Sequence, residues 1–148
     1  MIKFVGCLLI LLSSVAIGYY FEKNYKDKIL FLQEIIDLIN YTKNQIEFFS
    51  TPINEIYSIF QNKSKRITDI IAGNLNVINE SFRNQEYLLN YFNEIGKGYK
   101  SEQIKLCDYT INEAKKDLND FKLDLPKRIK IIRSLSLFIG ASIVILLV

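Results

Sequence analysis

Two uncharged apolar runs, one at each end of the chain, place the strongest constraint on its fold. Residues 4–21 read FVGCLLILLSSVAIGYYF and residues 134–148 read SLSLFIGASIVILLV, and neither run contains a charged side chain. As a helix, the first run would be about 27 Å long, close to the thickness of a bilayer's hydrocarbon core. The sequence therefore predicts an N-terminal transmembrane anchor over residues 1–21 and a C-terminal one over residues 134–148.

A cleaved signal peptide is the alternative interpretation of the first run. Lys3 would supply its basic start, and Ser14 and Ala16 would form a small-x-small cleavage site. The run continues past Ala16 to two tyrosines and a phenylalanine, which are typical of a membrane interface, and this favours a retained anchor. If the segment were removed instead, the chain would be an exported helical binding module, held at the cell surface by its C-terminal anchor.

Basic residues flank both runs on the side of the central segment, residues 22–133. They are Lys23, Lys26, Lys28, Lys127, Arg128, Lys130 and Arg133. Because basic flanks stay on the cytoplasmic side of a membrane, the sequence predicts a cytoplasmic central domain over residues 22–133. The cysteines suit a reducing compartment, since Cys7 falls in the predicted anchor and Cys107 on an apolar helix face, where no disulfide is plausible.

Apolar residues recur in steps of three and four through the central segment, which is the period of an amphipathic helix. The first stripe comprises Leu32, Ile35, Ile39, Thr42, Ile46 and Phe49. The second comprises Ile104, Cys107, Ile111, Ala114, Leu118, Phe121 and Leu125. Since each stripe needs an apolar partner, we expect an all-α fold, an antiparallel helical bundle whose two long helices continue into the N- and C-terminal transmembrane helices.

Turn-forming residues divide the chain between these two long helices. Thr51 and Pro52 fit the N-cap and first position of a short helix with Glu55 in its first turn. A further short helix is expected to end at Gly96. Pro126 is expected to end or kink the second long helix, because proline lacks the N–H of the helical hydrogen bond.

The stretch EIGKGYKSEQ, residues 94–103, contains the glycines and lysines of a phosphate-binding loop but not their order. A Walker loop needs lysine directly after its second glycine, whereas Tyr99 follows Gly98 here. We therefore expect a joint between two helices, in which Gly96 or Gly98 adopts a left-handed conformation and Ser101 caps the next helix.

The residue types argue against catalytic and metal chemistry. The chain has no histidine, and its two cysteines are far apart. A net charge of +3 shows no excess suited to nucleic acid. The sequence thus predicts a non-enzymatic protein with no metal, no cofactor, no small-molecule substrate and no nucleic-acid partner.

Four stretches, taken in order, resemble one known family. The opening run has Gly6 and Gly18 in the expected places, and STPINEIY, residues 50–57, resembles a T-P-x-x-E-A motif. NQEYLLNYFNEIGKGYKSEQIK, residues 84–105, is similar to a longer motif, and LSLFIGASIVILLV is similar to the closing run. The matches in the longer motif are Glu86, Leu88, Ile95, Gly96, Gln103 and Ile104. Together these features resemble the stage III sporulation protein AB family.

This resemblance implies a non-enzymatic membrane platform, with a helical domain similar to those of type II secretion F and pilus platform proteins. It implies a place in the mother-cell membrane around the forespore. There the protein would couple a secretion-type ATPase, similar to stage III sporulation protein AA, to the other components of the channel between the two cells. The candidate partner interface, expected at the end of the domain away from the membrane, comprises Thr51, Pro52, Glu55, Glu86, Gly96 and Gln103.

Overall fold

Every element that the structure describes is helical. The computed structural model describes residues 2–61, 64–82 and 85–147, except for the side chains of residues 2–5, 7–11, 144, 146 and 147. The helices are α1 (Ile2–Asn44), α2 (Ile53–Phe60), α3 (Lys65–Ile71), α4 (Asn76–Ser81), α5 (Glu86–Glu94) and α6 (Lys100–Leu147), and a π-helical turn, Gln45–Phe49, follows α1. The predicted all-α class is therefore confirmed over these ranges, in which no strand occurs.

The chain divides into two compact units, and both long helices contribute residues to each. The terminal unit consists of Met1–Asp27 and Asp120–Val148, and the central unit is Lys28–Asn119. The terminal unit is thus built from the first part of α1 and the last part of α6, whereas the central unit also contains α2 to α5.

The core of the central unit is built on the predicted stripe of α1. Its members from Leu32 to Ile46 are buried, but Phe49 is 71% exposed, so its place in the stripe was predicted wrongly. The physical reason is the π-helical turn, in which the hydrogen bond spans five residues and each residue advances through a smaller rotation. Phe49 consequently leaves the buried face.

The other helices of the central unit cover this stripe. From α6, Cys107, Ile111 and Ala114 are buried as predicted, whereas Leu118 is half-buried. The short helices and their ends add buried side chains from α2 to α5, namely Ile56, Phe60, Ile67, Ile70, Ile78, Phe82, Leu88 and Tyr91. A local period of three to four thus identified the buried face of α1 up to Ile46 and the middle of the α6 face, from Cys107 to Ala114.

Polar contacts show that α1 and α6 run antiparallel in the central unit. Lys43 Nζ lies 2.7 Å from Asp108 Oδ1, and Lys100 Nζ donates to the carbonyl oxygen of Glu47 at 2.7 Å. Residue numbers rise along one helix as they fall along the other.

In the terminal unit, small residues are buried and large apolar side chains are exposed, whereas in the central unit large apolar side chains are buried. Ser14, Gly18 and Gly140 are buried, and a Cβ on Gly18 would lie 3.3 Å from Ser136 Oγ, so the two helices meet at small residues. The large apolar side chains point outward instead, and those exposed include Leu12, Val15, Ile17, Tyr19, Tyr20, Leu135, Leu137, Phe138, Ile139 and Ile145.

No helix within the described residues combines the length and the apolar character that a membrane crossing requires. Parts of both predicted anchors lie outside that description, because it omits the side chains of residues 1–5, 7–11, 144 and 146–148. The prediction for Cys7 is among those that fall outside it.

Helix α6 continues through Pro126, so the expectation that the helix could end there is wrong. Proline removes the helical hydrogen bond to the carbonyl of Lys122. Both Lys122 and Pro126 are exposed, so water can donate a hydrogen bond to the freed carbonyl. The helix therefore lacks one hydrogen bond but continues.

Ion pairs surround Glu22 in the terminal unit. Glu22 accepts hydrogen bonds from Lys26 Nζ at 2.8 Å and from Arg133 at 2.5 Å. These bonds, first from Lys26 and then from Arg133, lower the pKa of the Glu22 carboxyl. Arg128 also lies over the Tyr25 ring, 5.8 Å from its centroid.

The contact between Glu22 and Arg133 should therefore weaken in acid. A carboxyl whose pKa is lowered by folding stabilises the folded state above its ordinary pKa of 4.5, and that stabilisation disappears as the pH falls through the lowered value. Spin labels on the exposed positions Tyr19 and Leu137 should show a narrow distance distribution at pH 7 and a broader one near pH 3. Glu22→Gln should give the broader distribution at both pH values, and an unchanged distribution in that variant would contradict the prediction.

Candidate functional site

Two joints in the central unit come together at its surface. The first lies between α5 and α6, where Gly96 has φ of 86° and Gly98 has φ of 97°, so both glycines adopt the predicted left-handed conformation. Ser101 does not cap α6, contrary to prediction, because α6 already begins at Lys100. Glu102 instead accepts a hydrogen bond from the N–H of Tyr99 at 3.2 Å. This bond gives a partner to a backbone N–H just before the start of α6.

The second joint connects the π-helical turn to α2. Ser50 has φ of 52°, a left-handed conformation at the end of the π-helical turn. Thr51 is not the N-cap of α2, contrary to prediction, because its Oγ1 donates to Gln45 Oε1 at 2.9 Å. Pro52 holds the N-cap position, so α2 begins one residue later than predicted, and Glu55 lies in its first turn as expected.

A groove of about 560 Å³ lies between the two joints. It brings together four of the six residues predicted as a partner interface, Thr51, Pro52, Gly96 and Gln103. The other two are exposed outside the groove, Glu55 on α2 and Glu86 in the first turn of α5.

The groove has an apolar floor and basic sides. Ile46 and Ile95 are buried beneath it, and Ile53 is half-buried on its wall. Its charged lining residues are Lys97 and Lys100. Neither lysine was named singly among the predicted interface residues, although both lie within the glycine-rich stretch that the prediction covers.

Contacts with Glu47 and Ser50, at the joint before α2, hold the Lys100 side chain in place. Its Nζ donates to the carbonyl oxygen of Glu47 at 2.7 Å and lies 3.3 Å from Ser50 Oγ. Lys97 Nζ is 3.7 Å from Glu94 Oε1, and both side chains are largely exposed. Such an exposed pair at this distance is weak and leaves Lys97 available to another anion.

Exposed aromatic side chains flank the two joints. Phe48 and Phe49, on the π-helical turn, are each 71% exposed, and Tyr99 is 80% exposed. Two of them adjoin groove residues in the chain, since Phe49 precedes Ser50 and Tyr99 precedes Lys100. Aromatic side chains of this kind are enriched at protein interfaces.

Gly96 closes one side of the groove, and its substitution tests the geometry. An alanine at position 96 would have a left-handed backbone, and its Cβ would lie 3.3 Å from Cγ1 of Ile53. An alanine at position 73 would also have a left-handed backbone, at φ of 92°, but its Cβ would meet nothing within 4 Å. The left-handed conformation alone costs about 1–2 kcal/mol. We expect Gly73→Ala to reduce the free energy of unfolding by that amount and Gly96→Ala to reduce it further, as measured by urea denaturation. Equal losses would show that Ile53 does not confine this position.

The fold and the groove define a class of protein that is helical throughout the described residues, with one unit in which two helices meet at small residues and another, packed helical unit that carries a surface groove. The sequence model of stage III sporulation protein AB matches residues 3–81 and residues 79–148. The chain therefore belongs to the stage III sporulation protein AB family, and the predicted resemblance is confirmed. No curated protein and no solved structure shows a significant match to the chain.

Proposed function

We propose that this chain is a non-enzymatic membrane platform of the sporulation channel between mother cell and forespore. In this role it couples a secretion-type ATPase, similar to stage III sporulation protein AA, to the other channel components. The family match over residues 3–81 and 79–148 supports a sporulation role. The observation that supports the membrane part of the proposal is the exposure of large apolar side chains on the terminal unit.

In the terminal unit, small residues lie inside and large apolar residues lie outside. In water this arrangement is unfavourable, because each exposed Å² of apolar surface forgoes about 25 cal/mol. In a bilayer it is favourable, since lipid tails cover the apolar side chains and small residues let two helices approach closely. The contact of Gly18 with Ser136 has this form. We therefore assign residues 1–21 and 134–148 as two membrane anchors.

The basic residues beside the anchors support the proposed orientation. Lys23 and Lys127 are exposed, and Arg133 forms an ion pair with Glu22 at the border of the second apolar run. Positive charge beside an anchor favours the cytoplasmic side. The central domain then lies in the mother-cell cytoplasm, in an antiparallel bundle continuous with both anchors, where it can meet a soluble ATPase.

The groove is the proposed contact with that ATPase. Thr51, Pro52, Gly96 and Gln103 line it, and Glu55 and Glu86 are exposed on the same central unit. Both α1 and α6 contribute residues to each unit, which supports a role for this chain in coupling.

Photo-crosslinking in sporulating cells tests the coupling. A benzoylphenylalanine at position 51 or 103 should capture the secretion-type ATPase, whereas the same group at Asn112, an exposed position on α6, should not. Capture from position 112 but not from positions 51 and 103 would refute the assignment of the groove.

Membrane fractionation and the N-terminal residue test the anchors. The proposal expects a retained Met1, resistance to alkaline extraction and a central domain that protease reaches only after the cells are opened. A mature start near Ile17, with cleavage of intact cells from outside, would instead establish an exported surface module.

A further inference from the structure

The groove has two lysines in its lining, and Glu94, the carboxylate that pairs with Lys97 at 3.7 Å, lies outside that lining. Lys97 and Lys100 line it, and no carboxylate side chain belongs to the lining that the structure describes. Among the described residues, Lys100 has neutral oxygens as its hydrogen-bond partners, the Glu47 carbonyl and Ser50 Oγ. An ammonium group has three donors, so one remains for a ligand.

This local charge contrasts with the rest of the central unit. Residues 28–119 contain eleven basic and twelve acidic side chains. The unit therefore has no net positive charge to attract a polyanion such as nucleic acid, whereas the two lysines of the groove offer a local attraction for an anion. An occupant that gains from it carries one or a few carboxylates rather than a continuous charged backbone.

The apolar part of the groove indicates what else the occupant carries. Ile46 and Ile95 form a buried floor, Ile53 lines the wall, and the exposed Phe49 and Tyr99 adjoin the groove residues. An apolar side chain of a ligand placed against these residues would be removed from water, which is favourable. A carboxylate next to it in the ligand could then contact Lys97 and Lys100. A peptide segment can offer both groups on neighbouring residues.

We propose that the groove binds an acidic peptide segment of a partner protein, with a carboxylate held between Lys97 and Lys100 and an apolar side chain against Ile53. The inference rests on the partner contact in the proposed function and adds the chemistry that the partner must supply. Lys100 is held in place by Glu47 and Ser50 before the ligand arrives, so little side-chain freedom is lost on binding.

Selection from a display library of random twelve-residue peptides tests this inference on the full chain in detergent micelles. Peptides that bind should be enriched in Asp and Glu next to Leu, Ile or Phe. Their affinity should fall about tenfold or more in the double variant Lys97→Gln/Lys100→Gln, which is the size expected for loss of a charge-assisted contact. Raising the NaCl concentration from about 50 to 500 mM should weaken them as well.

The matched control is Lys115→Gln/Lys116→Gln, which removes two exposed lysines from α6 outside the groove. It should bind the selected peptides as tightly as the unchanged chain, and circular dichroism should confirm that both variants fold. Absence of enrichment, enrichment without acidic residues, or equal affinity in the two variants would overturn the inference. Self-association that only the groove variant loses, measured by sedimentation, would overturn it too, because a second copy would then be the occupant.

The two proposals fail in different ways. If acidic peptides are selected but positions 51 and 103 never capture the ATPase, the chemistry of the groove stands and the identity of the partner is refuted. If the ATPase is captured but the selected peptides show no acidic preference, the platform stands and the inference about acidic peptides is refuted.

Discussion

Phe31→Ala is expected to reduce the free energy of unfolding of the central unit by about 3–5 kcal/mol, the usual cost of emptying a buried phenylalanine site. Phe31 is completely buried, and its ring stacks on Phe82 with centroids 5.5 Å apart. The guanidinium of Arg66 lies over the same ring, 4.6 Å from its centroid. Removing the ring leaves a cavity and also takes away a cation–π contact from α3.

The measurement is urea denaturation followed by circular dichroism, with Phe49→Ala as the matched control. Phe49 is the same residue type and also belongs to the central unit, but it is 71% exposed. Its truncation should change the free energy of unfolding by less than about 0.5 kcal/mol. Equal effects of the two substitutions would show that the π-helical turn does not rotate Phe49 out of the core.

Cys107 should react with iodoacetamide at least about one hundred times more slowly in the folded chain than in the chain unfolded by urea. Burial raises the pKa of the Cys107 thiol from 9.0 to about 11. At pH 8, a rise of two pKa units lowers the reactive thiolate fraction about a hundredfold. The side chain is also completely buried, which lowers the rate further.

Mass spectrometry of a Cys7→Ser variant measures this rate, because Cys107 is then the remaining cysteine. An exposed cysteine provides the control, and Ser101→Cys in a chain lacking both native cysteines should react at the unfolded rate. The folded rate for Cys107 should continue to rise with pH up to about 11, where half of the thiol is ionised. Rapid alkylation at pH 8 would contradict the buried position of this residue.

The sequence predicted some parts of the candidate site and missed others for physical reasons that differ. A left-handed glycine at Gly96 or Gly98 was predicted, and both adopt that conformation, because it depends on one residue and its lack of a side chain. Thr51 was assigned wrongly, since its hydroxyl has two possible partners and the π-helical turn brings Gln45 within reach. The contact of Lys100 was not predicted, because its partner, the carbonyl of Glu47, is 53 residues away in the chain.

By itself, the sequence determined the helical class, the buried faces of α1 and α6 in the central unit, and the family. These follow from local periodicity and from the order of short motifs, which need no knowledge of distant contacts. Only the tertiary structure decided that Phe49 faces outward, that α6 continues through Pro126, and that two joints far apart in the chain form one groove. Those features depend on which helices pack together and where water still reaches the backbone.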